Sequence, residues 1–436
     1  MRVCSLLICC CLVFFSTLAA AEESPRLRLH GSNTVGAELA PALIEAWLSS
    51  KGFSEIHIGE LQPEERLITA RRGDERIAVE VHAHGSTTAF RDMLNRTADM
   101  GMASRPIKPE EVQALSPRGR LDSAKAEFVL GLDGIAVVVH PSNPLLHLDK
   151  ETLADIFSGR IADWSQLGAP TGRIQVYARD DKSGTYDTFK SLVLGKRALE
   201  STAQRFESNA DLSDAVAADR NGIGFVGLPY VRHSKLLGVS EAGTLPVVPT
   251  PFSVATEDYS LARRLFLYVP DDAPPEAREL AEFAVSSAGQ AQVARADFIA
   301  QNILEGEAPP AADAPEEYRA LVQGARRVSL NFRFRAGSIH LDNKGLRDLE
   351  RLVGYLGRPE NSGRELMLIG FADANETLPL HSLELSIHRA DQVGDLLIRR
   401  GIGPRRIRGY GQAVPVASNA DARGRQKNRR VEVWLR

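Results

Sequence analysis

Apolar positions in the first two thirds of the chain follow two alternating periods, and these periods predict the fold class. Short β-branched runs, such as residues 135–139 and 174–177, are typical of buried strands. Between such runs, apolar residues recur at helical spacing over 35–48, 87–96 and 186–194. Strands that alternate with helices along a chain indicate an α/β architecture.

The pattern changes in the last quarter of the chain. Residues 328–334 alternate apolar and polar side chains, as a half-buried strand does. Apolar stripes at helical spacing follow over 346–356 and 383–397. Two more strands are predicted over 365–370 and 430–435, so this part is predicted to be a small α+β sandwich of a mixed sheet and two main helices.

The longest apolar run lies at the extreme N-terminus. Residues 6–18 follow Arg2 and precede the small residues 19–21, so we predict a signal peptide over 1–21 and export of the chain. The run is short for a membrane span, which makes a retained anchor the weaker alternative, as is a lipoprotein processed at Cys9. All four cysteines lie in this segment, so the exported chain is expected to form neither disulfides nor thiolate metal sites.

A Pro- and Ala-rich stretch over 304–324 divides the chain and predicts a linker. Residues 325–436 carry 21 Lys and Arg against 12 Asp and Glu, whereas residues 22–324 carry 31 against 44. Net charges of +9 and −13 support two domains with different partners, which the linker composition predicts to act independently. The overall net charge of −3 argues against a nucleic-acid binder acting through bulk charge.

Three predicted strand–helix junctions carry small hydroxyl residues and suggest an anion site. They are Gly31-Ser32-Asn33-Thr34, Gly85-Ser86-Thr87-Thr88 and Ser183-Gly184-Thr185. A helix N-terminus offers unsatisfied N–H donors and a partial positive charge, which suit an oxyanion. One such loop alone is an ordinary N-cap, but three in one α/β region point to a shared ligand. Arg179 adds a bidentate donor, and Asp181 is placed to orient its guanidinium.

These loops, with Gly101-Met102-Ala103-Ser104-Arg105-Pro106-Ile107 and the segment 153–164, resemble the periplasmic phosphate-binding proteins of ABC transporters over residues 26–303. The resemblance implies a two-lobed α/β periplasmic-binding-protein fold for a domain over 22–303. Lobe I is expected over 26–138 and 230–303, lobe II over 139–229, and the anion between them.

The resemblance also implies the anion ligands. The expected phosphate-binding residues are Ser32, Thr34, Val35, Ser86, Ser104, Arg105, Arg179, Asp181, Ser183, Gly184 and Thr185. Arg105 stands where phosphate-specific members have an aspartate that accepts a proton from the ligand. This departure removes a reason to prefer a protonated oxyanion over sulfate. Phosphate remains the first choice, and selectivity against sulfate is left open.

Other candidate chemistry is weaker. His82 and His84 share a strand face and are two candidate metal ligands, but the sequence shows no convincing third one. An ordinary polar strand face is therefore predicted, without a metal site. Ser183 lacks a Gly-x-Ser-x-Gly elbow and an identifiable base, so we predict no catalytic residue and no cofactor.

The segment 325–436 resembles the OmpA-like peptidoglycan-binding domain. The motifs that carry this resemblance are Gly370-Phe371-Ala372-Asp373, Leu385-Ser386-Ile387-His388-Arg389-Ala390, Gly409-Tyr410-Gly411 and Asn428-Arg429-Arg430-Val431. The resemblance implies that Asp373 and Arg389 grip the zwitterionic end of diaminopimelate in the wall peptide, with Asn428 and Arg430 supporting or lining the site. The alternative is a solvated ion pair. Three features depart from the family: Ala372, Ser382 and a longer spacing between the two ligands.

We therefore predict a non-enzymatic, exported substrate-binding protein of the periplasm. It is expected to bind phosphate or a related oxyanion and to attach non-covalently to peptidoglycan, at the cell wall or the inner face of the outer membrane. Phosphate uptake, sensing or scavenging would follow, with an ABC transporter permease as a further partner. An envelope scaffold with a degenerate anion site is the alternative, and a phosphate-ester hydrolase is a weaker one.

Overall fold

A computed structural model describes residues 26–181, 183–308, 310 and 313–436. The predicted signal peptide over 1–21 lies outside the described residues, as do Lys182 and three residues of the predicted linker. Across the described ranges, no helix combines the length and the apolar character that a membrane span requires.

Both strands and helices follow the predicted alternation. In the described part of the chain, the strands are β1 (Leu27–Gly31), β2 (Ser54–Gln62), β3 (Glu65–Arg72), β4 (Glu75–His82), β5 (Met100–Ala103), β6 (Glu127–Val139), β7 (His147–Asp149), β8 (Gln175–Arg179), β9 (Gln204–Phe206), β10 (Gly222–Gly227), β11 (Lys235–Leu236), β12 (Gly238–Ser240), β13 (Ala262–Tyr268), β14 (Glu305–Gly306), β15 (Arg326–Arg333), β16 (Leu366–Gly370), β17 (Arg406–Gly409) and β18 (Arg430–Leu435).

The α-helices of the same residues are α1 (Asn33–Gly36), α2 (Leu39–Ser50), α3 (Ser86–Leu94), α4 (Pro109–Ala114), α5 (Lys150–Phe157), α6 (Gly184–Phe189), α7 (Asn209–Ala218), α8 (Pro251–Ala255), α9 (Pro275–Val285), α10 (Ser287–Arg295), α11 (Glu316–Val322), α12 (Asn343–Leu356), α13 (Pro379–Ile398) and α14 (Ala422–Asn428). Short 3₁₀ turns lie at Ser116–Arg118, Trp164–Leu167, Leu228–Tyr230 and Pro359–Asn361, and a π-helical turn at Lys190–Leu194 extends α6. The helix predicted over 35–48 is thus divided into α1 and α2.

One mixed sheet of eleven strands joins the two lobes. Its order is β2-β3-β4-β1-β5-β13-β6-β10-β8-β9, and β11 also pairs with β6. β6 belongs to both lobes, because it pairs with β13 over 127–134 and with β10 over 135–139. Its nearly unbroken apolar run fits a strand that is buried on both faces. Helices α2, α9 and α10 complete the core of lobe I, and α5 and α6 that of lobe II.

The lobe boundaries differ from the predicted ones. The chain crosses between Asp133 and Ile135, inside β6, instead of at residue 139, and it returns just before β13 instead of near residue 229. Tyr259 explains the late return, because it is buried in the core of lobe II and donates a hydrogen bond to the carbonyl of Ile135 (2.6 Å). β12 also stays with lobe II through its parallel pairing with β7.

The C-terminal domain is the predicted α+β sandwich, and this part of the fold class is confirmed. Its five-stranded sheet has the order β14-β15-β18-β16-β17. Helices α12 and α13 cover one face through Leu349, Leu352 and Val393. Helix α11 covers the other face.

The segment 304–324 departs from the predicted linker, because its described residues build part of the C-terminal domain. Glu305 and Gly306 form β14 on the edge of the sheet, beside β15. Tyr318 of α11 is 3% exposed and packs against Phe371 and Trp434. Aromatic packing of this size outweighs the local Pro- and Ala-rich composition, from which the linker was predicted.

The two domains share a buried polar interface, so the prediction of independent domains is also corrected. The turn at residues 256–258, which precedes β13, packs against β15. Arg333 donates to Glu257 (3.2 Å) and to the carbonyl of Thr256 (2.8 Å). Arg327 lies 2.7 Å from Asp258. Some basic side chains of the C-terminal domain thus form ion pairs with acidic side chains of the domain that precedes it.

Glu257 is the centre of this interface. Arg264 on β13 forms a bidentate ion pair with Glu257. Its guanidinium also donates to Asp342, the N-cap of α12, at 2.7 Å. Burial alone would raise the pKa of Glu257, but the charges of Arg264 and Arg333 outweigh burial and hold the pKa well below its usual value. Removal of this carboxylate would leave buried guanidinium groups without their partner, which costs about 3–5 kcal/mol in comparable cases.

We expect Glu257→Gln to lower the free energy of unfolding by about 3 kcal/mol near pH 7. Because the folded-state pKa is depressed, this stabilisation is present above the ordinary pKa of 4.5 and is lost as the pH falls below it. Urea unfolding of wild type and variant across this range measures both effects. Glu151→Gln, at an exposed ion pair, is the control. Equal stabilities of the two variants near pH 7 would contradict the assignment.

Candidate functional site

A cleft of about 740 Å³ opens between the two lobes. The predicted anion-site residues that line it are Thr34 from lobe I and Arg179, Asp181, Ser183, Gly184 and Thr185 from lobe II. The structure therefore brings the first and third predicted loops to one cavity, although they are about 150 residues apart in sequence.

Local structure explains this arrangement of the loops. Ser183 is the N-cap of α6 and its hydroxyl accepts a hydrogen bond from the backbone N–H of Tyr186 (3.4 Å). The next residue, Gly184, lies directly against Thr34 of the opposite lobe. A Cβ at Gly184 would come within 2.1 Å of the Thr34 hydroxyl, so glycine is required for this contact between the lobes.

Arg263 links the predicted loops through hydrogen bonds, and the sequence did not indicate it as a candidate site residue. Its guanidinium donates to the hydroxyls of Thr34 (2.7 Å) and Ser104 (3.0 Å) and to the carbonyl of Gly184 (2.9 Å). Its Nε donates to Asp133 on β6 (3.2 Å), the residue directly opposite it in the sheet. One side chain therefore contacts both lobes at the point where the shared strand crosses between them.

Ser86 connects the second loop to the same cluster. Its hydroxyl accepts a hydrogen bond from the backbone N–H of Ser104 (2.9 Å), and the two hydroxyls lie 3.2 Å apart. Through Ser104 and Arg263, all three predicted loops belong to one hydrogen-bonded group.

Arg263 is a buried positive charge paired with Asp133, whereas Arg179 is half-buried and lines the cleft. Burial lowers the pKa of Arg263, although Asp133 acts in the opposite direction. Burial likewise lowers the pKa of Arg179, and the charge of Asp180 is the largest influence in the opposite direction. A guanidinium stays protonated in proteins, so Arg179 brings a positive charge to the wall of the cleft.

Against the prediction, Arg105 is not part of the hydrogen-bonded group of Thr34, Ser86, Ser104, Gly184 and Arg263, which we call the anion cluster. Its guanidinium forms a bidentate pair with Glu111 (2.8 and 2.7 Å) and lies over the ring of Phe90, 5.0 Å from the centroid. The carboxylate and the ring satisfy this cation locally, and with Ser104 and Arg263 it lines a second cavity instead of the cleft. Arg263 provides the guanidinium at the cluster instead.

Asp181 does not hold Arg179, which corrects a second prediction. Its side chain is 87% exposed and pairs with Arg205 (2.7 Å). Arg179 donates its Nε–H to the carbonyl of Phe206 (3.2 Å), and the aspartate whose charge acts on it is Asp180.

Ser32 and Val35 lie beneath the first loop and do not line the cleft. They are 2% and 0% exposed, and the backbone N–H of Val35 donates to the carbonyl of Ser32 (3.1 Å). Their place is structural, because they shape the turn that presents Thr34.

In the C-terminal domain, Arg389 is buried and has an internal partner. Its guanidinium donates to both carboxylate oxygens of Glu376 (2.7 and 2.5 Å) and lies over the ring of Phe334. Burial alone would raise the pKa of Glu376, but the hydrogen bond and charge of Arg389 outweigh it and lower that pKa. Glu376 thus occupies the position on Arg389 that the resemblance assigned to a ligand carboxylate.

Asp373 is also engaged within the domain. It is 1% exposed and accepts hydrogen bonds from Arg429 (2.8 Å) and from the backbone N–H of Asn375 (2.8 Å). The expected ligand pair is therefore neither open nor a solvated ion pair. Glu376 lies in the loop between Asp373 and the start of α13.

Asn428 and Arg430 support the domain from inside. The side-chain oxygen of Asn428 accepts backbone N–H groups from Val416 (2.9 Å) and Ala417 (3.1 Å). Arg430 pairs with Glu432 (3.0 and 2.8 Å) over a ring of the core. Both residues are 1% exposed.

Comparison with protein families agrees with this architecture. Residues 67–288, about half of the chain, match the model of the PBP superfamily domain, and residues 333–429 match the OmpA family. The chain belongs to the PBP superfamily and carries an OmpA domain after the PBP-like domain. Both parts of the predicted fold class are thereby confirmed.

Individual relatives resemble the PBP-like domain. Protein SphX of Synechococcus elongatus is 33% identical over 234 residues, which cover 50% of this chain and 68% of that protein. The phosphate-binding protein PstS of Borreliella burgdorferi is 24% identical over 244 residues, covering 54% and 84%. The crystal structure of a possible phosphate-binding protein from Planctomyces limnophilus has a TM-score of 0.52 at 23% identity, covers 68% of this chain and 95% of its own, and shows the shared fold.

Proposed function

We propose that this chain binds inorganic phosphate, or a closely similar oxyanion, in the cleft between its lobes, and that it acts as a periplasmic binding protein and not as an enzyme. One observation carries the proposal: the cleft brings Thr34 of lobe I together with Arg179, Ser183 and Thr185 of lobe II. A relative that is named a phosphate-binding protein supports the choice of anion.

The cleft offers both charge and directed donors. Arg179 supplies a half-buried guanidinium, and Thr34, Ser183 and Thr185 supply hydroxyls on the two walls. The first turn of α6 adds backbone N–H groups that lack partners within the helix. Hydrogen bonds from a charged donor to an oxyanion are about twice as strong as neutral ones, so Arg179 is expected to contribute most to affinity.

Arg179→Ala is expected to weaken phosphate binding by about tenfold to a hundredfold, because a hydrogen bond from a charged group contributes about 1.5–3 kcal/mol. Calorimetric titration of the chain, stripped of bound anion, measures the change. Arg105→Ala is the matched control and should leave the affinity unchanged, since Glu111 holds that side chain outside the cluster. Loss of binding in the control alone would refute this assignment of roles.

Asp133 is the carboxylate we assign to ligand selectivity. It lines the cleft, is paired with Arg263 and stands at the junction of the lobes. A carboxylate accepts a hydrogen bond from the protonated oxygen of phosphate, whereas sulfate carries no proton near neutral pH and meets only repulsion. This assignment replaces the aspartate that is missing from the loop at Arg105.

We expect excess sulfate to leave phosphate binding by the wild type unchanged and to compete in Asp133→Asn. The amide keeps the shape of the side chain and an oxygen that accepts the hydrogen bond from Arg263, but it removes the negative charge that repels sulfate. Competition calorimetry compares the two proteins, with Glu207→Gln, an exposed carboxylate of the same cleft, as the control. Equal competition by sulfate in wild type and Asp133→Asn would contradict the role of Asp133.

The OmpA domain is the proposed attachment to peptidoglycan. The chemistry of Asp373 and Arg389 suits the ammonium and carboxylate groups of a diaminopimelate-type peptide. In this chain Glu376 competes with the ligand for Arg389, so wall binding requires that Glu376 leave the guanidinium. Attachment would hold the binding domain at the wall, and a transporter permease remains a predicted partner.

Glu376→Ala is expected to increase retention of the chain on purified diaminopimelate-type peptidoglycan by about tenfold, since an internal competitor bonded to a charged group is removed. Pull-down followed by quantification of the bound chain measures this, and Arg389→Ala should abolish retention. Glu384→Ala on the exposed side of α13 is the control. Unchanged or reduced retention of Glu376→Ala would show that Glu376 does not compete with the wall.

A further inference from the structure

Three histidines and three carboxylates form a continuous cluster in lobe I, beside the anion loops. The cluster consists of His30, Glu65, Glu80, His82, His84 and Asp92. Two overlapping groups within it, His30-Glu80-His82 and Glu65-His82-His84, keep their ligand atoms within 4.8 Å of one another. The function proposed above uses none of these side chains.

The sheet assembles the cluster from three neighbouring strands. His82 on β4 lies opposite His30 on β1 and opposite Glu65 on β3. His84 follows two residues after His82, and its Nε2 reaches Glu65 at 2.8 Å. The third candidate ligand, which the sequence pattern did not reveal, is therefore Glu65 on the adjacent strand β3.

We propose that Glu65, His82 and His84 form a binding site for a divalent transition-metal ion of the Zn²⁺ type. The Nε2 atoms of His84 and His82 lie 2.8 and 3.6 Å from the two oxygens of Glu65. Ligands about 2.0–2.2 Å from a tetrahedral Zn²⁺ are about 3.4 Å apart, so an ion fits here with small side-chain shifts. Two imidazoles and one carboxylate are a ligand set that Zn²⁺ accepts, with one position left to water.

Exposure and charge also suit a cation. The side chains of His84, His82 and Glu65 are 41%, 22% and 18% exposed, so an ion can enter directly from solvent. On the buried side, an oxygen of Glu80 lies 3.1 Å from the Nε2 of His82 and 3.0 Å from that of His30. This second carboxylate adds negative charge next to the ligands and faces the same ligand nitrogen as Glu65.

The position in the fold gives the site a structural consequence. His30 directly precedes the first anion loop, and His84 directly precedes the second. An ion held by β3 and the end of β4 would tie these strands together at the base of the second loop. Because an ion that binds only the folded chain stabilises it, Zn²⁺ should raise the melting temperature.

Calorimetric titration of Zn²⁺ into the full chain, without an affinity tag and in phosphate-free buffer, tests the proposal. We expect one ion per chain and a higher melting temperature with Zn²⁺. His84→Ala and Glu65→Gln should each weaken binding by about tenfold or more and remove the thermal shift. His147→Ala, at an exposed histidine of lobe II, should bind as the wild type does.

Two outcomes would overturn the site. One is the absence of saturable Zn²⁺ binding by the folded wild type. The other is wild-type affinity in both His84→Ala and Glu65→Gln, which would place the ion elsewhere. His84 is largely at the surface, so its removal should leave the fold intact, which circular dichroism checks. The test is independent of phosphate binding, because it is done without the anion.

Discussion

The pairing of β6 with β13 through Asp133 and Arg263 is the constraint on which the rest of the structure depends. A buried charge must be paired, so this ion pair fixes the two strands where the chain crosses between lobes. The remaining donors of Arg263 then reach one hydroxyl and one carbonyl on opposite walls of the cleft, from Thr34 and Gly184. The anion loops are therefore positioned by a side chain that belongs to none of them.

The next residue along β13 ties the cleft to the second domain. Successive side chains of a strand point to opposite sides, and Arg264 turns to Glu257 and to the N-cap of α12 while Arg263 turns to the loops. The anion cluster and the domain interface are thus one residue apart. The C-terminal domain is joined to the lobes by buried ion pairs, so its attachment to the wall would hold the orientation of the cleft as well as its location.

The sequence allowed prediction of features with a local signal. Small hydroxyl residues after a strand and before a helix identified the loops at Thr34, Ser86 and Ser183, and periodicity identified helices α2, α3, α6, α12 and α13. Strands β2 and β3 were missed, and with them Glu65, because β2 is mostly exposed and charged residues interrupt the apolar alternation of both strands. Arg263 was missed because it stands inside a strand, and its partner Asp133 is 130 residues away.

Errors arose where neighbours in sequence are not partners in space. Asp181 was assigned to Arg179 by proximity, but it points to solvent and pairs with Arg205. Tyr318 makes part of the expected linker into a packed helix, which composition alone does not reveal. In the C-terminal domain, the longer spacing between Asp373 and Arg389 was visible in the sequence, yet the position of the Glu376 carboxylate on Arg389 required coordinates.

The most direct test of the central claim is a crystal structure of the chain with arsenate, a phosphate analogue whose anomalous scattering locates it without ambiguity. We predict one strong peak in the cleft, within hydrogen-bond distance of Arg179 and of hydroxyls from both lobes. A saturated crystal with no peak between the lobes, or with its peak on another surface, would contradict the account.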